Sequence, residues 1–180
     1  LKAYAQIGQG ITPEVSRQQL IDAVQLFDAQ IAELKRVALD KRSALIFARL
    51  EERWQPFKAA ALGKVDRSGA ERLLAADDAL LDAAHELTVE LQNRTASPVG
   101  RLVNVSGRQR MLSQRLAKYY LLRAWGLDSP AISRESGSAR TEFDGALATL
   151  RSAPENTAEI RRELDTVALQ WEWFKNVLGL

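Results

Sequence analysis

Three arginines share the apolar-rich stretch of residues 104–120, namely Arg108, Arg110 and Arg115. At about 100° per residue, Arg110 falls on the same helix side as Gly107, one turn before it, and Gln114, one turn after it. That side continues through apolar residues, so we expect a neighbouring helix to cover it. A covered guanidinium is costly unless it meets a carboxylate, backbone carbonyls or a bound anion. The spacing therefore predicts a negative partner for Arg110, whereas the other two arginines lie on another side and could be solvated.

Other interpretations of these residues stay open. A salt bridge or carbonyl contact inside a helical bundle would also satisfy Arg110, and Gly107 could simply allow two helices to pack closely. The three arginines together could bind nucleic acid or anionic lipid. The formal net charge of only +2 argues weakly against nucleic acid, because proteins that bind it usually carry a lopsided basic surface.

The composition argues against several kinds of site. There is no cysteine, which excludes disulfides and thiolate chemistry, and a single histidine, His85, cannot form a histidine-rich metal site. No Ser-His-Asp arrangement, phosphate-binding glycine loop or paired-acid motif can be argued from the residues. No apolar run approaches the length of about 18 residues that spans a membrane. We therefore expect a non-enzymatic protein with no cofactor and no metal.

Helical periodicity runs through the chain, and no segment shows sustained strand alternation. The fourth helix opens with a capping box, Ser68-Gly-Ala-Glu71, and its leucines then recur every seven residues at Leu73, Leu80 and Leu87. Gly10 followed by Ile11 suits a Schellman stop. The pattern predicts an all-α antiparallel bundle of seven helices, at about residues 1–10, 13–35, 40–62, from 68 onward, 104–126, 129–150 and 154–178.

The first part of the chain recurs in the second at an offset of 116 residues. The matching pairs include Lys2 with Lys118, Tyr4 with Tyr120, Gly10 with Gly126, Phe27 with Phe143 and Asp28 with Asp144. After one inserted residue, the matches continue at Trp54 with Trp171, Phe57 with Phe174 and Lys58 with Lys175. We interpret residues 1–96 and 97–180 as two related four-helix modules. We expect each module to be incomplete: the first lacks part of its opening helix, and the second lacks its last helix. The two modules could complete one bundle together, or they could leave apolar faces for a second chain.

The stretch Asn104-Val-Ser-Gly-Arg-Gln-Arg-Met-Leu-Ser-Gln-Arg-Leu-Ala-Lys-Tyr-Tyr120, together with the repeat, resembles the PilJ-type sensor domain. That domain is the extracytoplasmic N-terminal part of type IV pilus methyl-accepting chemotaxis transducers. The same helix is similar to the nitrate-binding segment in the periplasmic part of bacterial nitrate/nitrite sensor kinases. The resemblance implies a periplasmic four-helix bundle, commonly dimeric, in which nitrate sits between two copies of the motif helix at a two-fold axis.

Carried over to this chain, the resemblance implies that Arg110 contacts the anion, with Asn104, Gly107 and Gln114 at motif positions near it. The predicted function is ligand sensing for signal transduction, with nitrate or a similar anion bound at a helix or dimer interface. The resemblance implies a homodimer, no nucleic acid, and membrane contact only through segments outside this sequence. The alternative function is a non-catalytic interaction or scaffold module that docks a pilus or receptor component.

Overall fold

The computed structural model describes residues 1–36, 40–95 and 98–177, and every regular element within these ranges is an α-helix. The elements are α1 (Lys2–Gly8), α2 (Pro13–Leu34), α3 (Lys41–Ala61), α4 (Arg67–Thr95), α5 (Pro98–Ala124), α6 (Pro130–Arg151) and α7 (Ala158–Val177). The all-α prediction is therefore confirmed, although α5 begins six residues before Asn104. The chain divides into two compact units, Leu1–Thr95 and Ala96–Leu180.

In the first unit, α3 and α4 form the largest helix pair, and α1 packs against both α2 and α4. The leucines that recur every seven residues along α4 are buried, namely Leu73, Leu80 and Leu87. Two ion pairs join α3 to α4 alongside this apolar contact. Arg49 bonds Glu86 at 2.7 Å, and Arg42 bonds Glu90 at 3.0 Å. The α4 helix thus covers α3 with apolar side chains and carries acids that meet the arginines of α3.

The start of α4 differs from the predicted capping box. Asp66 is the residue that caps the helix, since its Oδ1 accepts a hydrogen bond from the backbone N–H of Gly69 at 2.7 Å. The hydroxyl of Ser68 instead accepts a hydrogen bond from Arg72, one turn along the helix. The capping-box prediction was wrong because α4 already begins at Arg67, after the cap Asp66, so Ser68 lies inside the helix.

The second unit consists, in its described part, of α5, α6 and α7. Here α5 packs extensively along α6, and α7 packs against α6 more sparsely. The core contains residues of all three helices: Leu112, Leu116, Ala139, Phe143, Leu147 and Trp171. Because α6 holds most of the contacts, one side each of α5 and α7 has no helix packed on it within the described residues.

Both units end a helix in the same way at the repeated glycine. Gly10 and Gly126 adopt positive φ angles of 71° and 83°, a region that costs glycine little. The next residue then bonds back into the last helical turn, as Ile11 N to Gln6 O and Leu127 N to Leu122 O, both at 2.9 Å. The predicted Schellman stop at Gly10 is confirmed, and Gly126 reproduces it.

Both units also contain the same side-chain cluster, built from the repeated Phe-Asp and Trp-x-x-Phe-Lys residues. In the first, the indole N–H of Trp54 donates to Asp28 at 2.8 Å, and Lys58 Nζ lies 2.5 Å from the other carboxylate oxygen. In the second, Trp171 donates to Asp144 at 2.6 Å, and Lys175 Nζ lies 3.7 Å away from it. The indole of each stacks on the preceding repeat phenylalanine, with ring centroids 4.2 Å apart in the first unit and 4.0 Å in the second.

The first cluster predicts a pH dependence of stability. The hydrogen bonds from Lys58 and then Trp54 hold the pKa of Asp28 below its ordinary value of 3.8. A carboxyl with a lowered folded pKa stabilises the fold above its ordinary pKa, and that stabilisation is lost as pH falls through the lowered value. We expect Asp28→Asn to lower the melting temperature near pH 6, and this loss to shrink as the pH falls below the ordinary pKa of 3.8. Circular dichroism melts at a series of pH values test this, and Asp22→Asn, at an exposed position on the same helix, is the control.

The contact between α1 and the start of α4 predicts a steric effect. A Cβ on Gly69 would lie 1.9 Å from the Tyr4 hydroxyl oxygen. Tyr4 is fully buried, and its hydroxyl donates to Lys64 O at 2.7 Å, so the ring has no room to retreat. We expect Gly69→Ala to lose about 1–3 kcal/mol of unfolding free energy, measured by urea titration. Gly137→Ala is the matched control: its Cβ meets nothing within 4 Å, so it should gain about 0.5–1 kcal/mol. Equal effects of the two changes would contradict the assignment.

Candidate functional site

The candidate site lies on α5, and the contact with α6 decides which side of α5 is covered. Among the buried residues of α5, Gln109, Leu112, Leu116 and Tyr119 recur at helical spacing. The amide of Gln109 also donates to the backbone oxygen of Phe143 on α6 at 2.8 Å. Steps of three and four residues return to the same side of a helix, so these side chains form one stripe. That stripe turns toward α6 and fixes the rotation of α5.

Arg108 and Arg115 lie together along one edge of this stripe and pair with acids on α6. Arg108 forms a close ion pair with Glu142. Arg115 lies 2.7 Å from Glu135, and its Nε–H donates to the hydroxyl of Tyr119 at 3.1 Å. The side chain of Arg115 is only 13% exposed. The expectation that these two arginines are solvated was wrong, because the carboxylates of α6 stand opposite them.

Arg110 is exposed, contrary to the prediction that its side of the helix is covered. It lies two residues from Arg108, about 200° around the helix, so it points away from α6. Within the described ranges no carboxylate stands within salt-bridge distance of its guanidinium. Arg110 is thus a cation of the motif helix whose charge α6 does not neutralise.

Of the other predicted site residues, Gly107 and Gln114 lie on the same open side of α5, whereas Asn104 lies about 120° around the helix from it. Gly107 is exposed, and a Cβ placed on it would meet no atom within 4 Å, so this glycine accommodates no close packing within the described structure. Gln114 is also exposed, and Asn104 is partly buried. Lys118, nearer the C-terminal end of α5, is buried, with an exposure of only 5%. Its Nζ lies 4.2 Å from the centre of the Tyr119 ring.

An open groove of about 650 Å³ runs between α5 and α7 within the second unit. Arg110 and Gln114 line it, and Asn104 and Gly107 do not. The remaining lining is mainly apolar and comes from all three helices: Gln109, Ser113, Ala117, Phe143, Val167, Gln170, Trp171, Trp173 and Phe174. The Oε1 atom of Gln109 is buried without a hydrogen-bond partner in the described structure. The groove therefore places one uncompensated cation beside an aromatic surface.

Sequence reasoning missed the contribution of α7 to this site. Trp173 is 67% exposed and lines the groove. The signal was present in Trp171-Glu-Trp173: residues two apart on a helix face different sides, so both tryptophans of such a pair are buried only if neighbours cover two sides of the helix.

Comparison with known proteins identifies the segment that carries this site. Residues 91–178 match the family model of PilJ, described as the type IV pili methyl-accepting chemotaxis transducer N-term. Neither the curated proteins nor the solved structures contain a match to the chain. None of the helices in the described ranges is long and apolar enough to cross a membrane.

Because Arg115 is paired and Arg110 is exposed, replacing these two arginines should affect the stability of the fold differently. We expect Arg115→Ala to lose about 1–3 kcal/mol of unfolding free energy, because it removes charge-assisted bonds and leaves the Tyr119 hydroxyl without its donor. Arg110→Ala should change it by less than about 0.5 kcal/mol, as for other exposed residues. Urea titration of both variants measures the difference. A loss at Arg110 as large as that at Arg115 would mean that Arg110 is a structural residue.

Proposed function

Because residues 91–178 match the PilJ family model of chemotaxis transducer N-terminal domains, we propose that the protein is a sensory module for a small anion such as nitrate. The family supports a role in signalling. The anion is bound by Arg110 on the open side of α5, beside Gln114 and one turn from Gly107. Domains of this kind sense ligands outside the cytoplasm, and we assign this one to the periplasm on the same family basis.

The observation that carries the proposal is the contrast among the three arginines of α5. Carboxylates of α6 stand opposite Arg108 and Arg115, and none stands opposite Arg110. A guanidinium left without a carboxylate at a helix surface is available to an external anion. Its planar fork donates two parallel hydrogen bonds to an oxyanion, which a lysine in the same place would not do.

A second copy of the chain completes the site in this proposal. Two copies of α5 that meet along their open sides bring two Arg110 side chains together, and like charges repel unless an anion lies between them. Planar nitrate accepts hydrogen bonds from guanidinium forks on opposite sides. Exposed Gly107 supports this arrangement, because a position without a side chain lets the second helix approach closely.

Anion binding at such an interface would transmit a signal by changing which arrangement of the two α5 helices is favoured. A ligand shifts this equilibrium only as far as it binds one arrangement better than the other. An anion between two cations does so directly, because it stabilises the arrangement in which the guanidiniums are close and does little for the one in which they are apart. Small helix shifts at subunit interfaces are a known means of switching.

Isothermal titration calorimetry of the full chain with nitrate, nitrite, sulfate and chloride tests the proposal. We expect nitrate to bind the wild type, and Arg110→Ala to bind it at least about tenfold more weakly, as expected for the loss of a charge-assisted hydrogen bond. Arg101→Ala is the matched control, because Arg101 is another exposed arginine of α5, and it should bind like the wild type. Arg110→Lys keeps the charge but not the fork and should be intermediate.

Sedimentation equilibrium with and without nitrate tests whether a second copy of the chain completes the site. Nitrate should shift the wild type toward a dimer and leave Arg110→Ala unchanged. Absence of heat with all four anions would remove the anion proposal, and anion binding by a strict monomer would remove the two-copy arrangement while keeping Arg110 as the ligand.

A further inference from the structure

We propose that Gln109 is the positioning residue that couples the anion site at Arg110 to the contact between α6 and α7. This role rests on the proposed anion site, since Gln109 precedes Arg110 directly in α5 and would pass the effect of a bound anion to another helix. The contacts involved join α5 to α6 and α6 to α7, and the structure describes all three helices.

Two consecutive residues of α6 connect this helix to both neighbours. The backbone oxygen of Phe143 accepts a hydrogen bond from Nε2 of Gln109 on α5 at 2.8 Å. The ring of Phe143 stacks on the indole of Trp171 on α7, with ring centroids 4.0 Å apart. Asp144 accepts the indole N–H of Trp171 at 2.6 Å. A movement of α5 at Gln109 therefore acts on the residue of α6 that holds the indole in place.

Gln109 differs from its neighbours in the buried stripe, Leu112 and Leu116, because it brings an amide into an apolar contact. The side chain is 9% exposed, and its Oε1 atom is buried without a hydrogen-bond partner in the described structure. A polar atom that has left water and found no partner destabilises the fold. An apolar side chain of the same shape would carry no such cost, so packing alone does not account for a glutamine here.

The same amide makes it easier for α5 to rotate on α6. When Gln109 leaves α6, its amide exchanges one hydrogen bond for several to water, and Oε1 gains the partner that it lacks. A leucine in this place would oppose the rotation, because its exposure to water is unfavourable. Gln109 thus allows two rotations of α5 to lie close in free energy, as a switching element requires.

Arg110 turns together with Gln109, since the two residues are consecutive and about 100° apart around the helix. The direction in which Arg110 points is therefore tied to whether Gln109 is bonded to Phe143. An anion that binds Arg110 better in one rotation than in the other decides which rotation is populated. The bond of Gln109 to Phe143 then reports the state of the anion site to α6 and, through Phe143, to Trp171.

Nuclear magnetic resonance of the full chain, labelled with ¹⁵N at tryptophan, tests this role. The indole N–H resonances are assigned with single tryptophan-to-phenylalanine variants. We expect nitrate to displace the Trp171 resonance along a saturation curve that matches the calorimetric one. Trp54 is the internal reference, because it makes the same indole hydrogen bond to Asp28 in the first unit, and its resonance should stay in place.

Gln109→Met tests whether Gln109 carries the effect. Methionine has a similar shape and no amide, so the variant should still bind nitrate, while the displacement of the Trp171 resonance at saturation falls by at least about half. Gln170→Met is the matched control, because it makes the same chemical change at an exposed glutamine next to Trp171 and breaks no contact of α5 with α6. The displacement should persist in this control.

Thermal melts followed by circular dichroism separate this role from a purely structural one. Because Oε1 of Gln109 has no partner in the described structure, Gln109→Met should leave the melting temperature unchanged or raise it. A clear fall in the melting temperature would mean that Gln109 serves to stabilise α5 on α6, and the coupling role would be wrong.

Calorimetry on the same samples distinguishes the failure of this role from the failure of the anion site. Nitrate binding without movement of the Trp171 resonance, or with equal movement in the wild type and Gln109→Met, would overturn the role of Gln109 and leave Arg110 as the ligand. Equal movement of the Trp54 resonance would overturn it too, since the effect would not be specific to this contact. Loss of nitrate binding in Gln109→Met would make Gln109 part of the binding site instead. No nitrate binding to the wild type would remove both proposals.

Discussion

The rotation of α5 against α6 is the constraint on which the second unit depends. Apolar residues and Gln109 form the contact, and Glu135 and Glu142 pair with Arg115 and Arg108, which lie together beside it. Once α5 is held in this rotation, Arg110 has to point outward, since it lies about 200° from Arg108. The same packing that stabilises the unit therefore creates the exposed cation on which the proposed function rests.

The repeated cluster of phenylalanine, aspartate, tryptophan and lysine holds α7 against α6 in the second unit and α3 against α2 in the first. It joins two consecutive helices by ring stacking, one indole hydrogen bond and one ion pair, all close in space. Such a joint needs no third helix. The two units share this joint although its described surroundings differ: α4 packs along α3, and no described helix packs on the corresponding side of α7.

The open side of α5 and the open side of α7 meet in one groove, so the cation and the exposed aromatic surface belong to the same region. An anion would compensate Arg110 through charge-assisted hydrogen bonds. The apolar side chains of Trp173 and Val167 on α7 lie beside it and are exposed in the described structure.

The sequence by itself determined the helical class, most helix boundaries, the Schellman stop at Gly10 and the buried leucines of α4, because these depend on local periodicity and turn chemistry. It also revealed which residues recur between the two halves. It placed Arg108 and Arg115 together and Arg110 away from them, since that relation is intrinsic to a helix. Only the tertiary structure decided which of these sides is covered. That choice is made by residues far along the chain, the acids of α6 and the rings of α7, and no periodicity within α5 contains them.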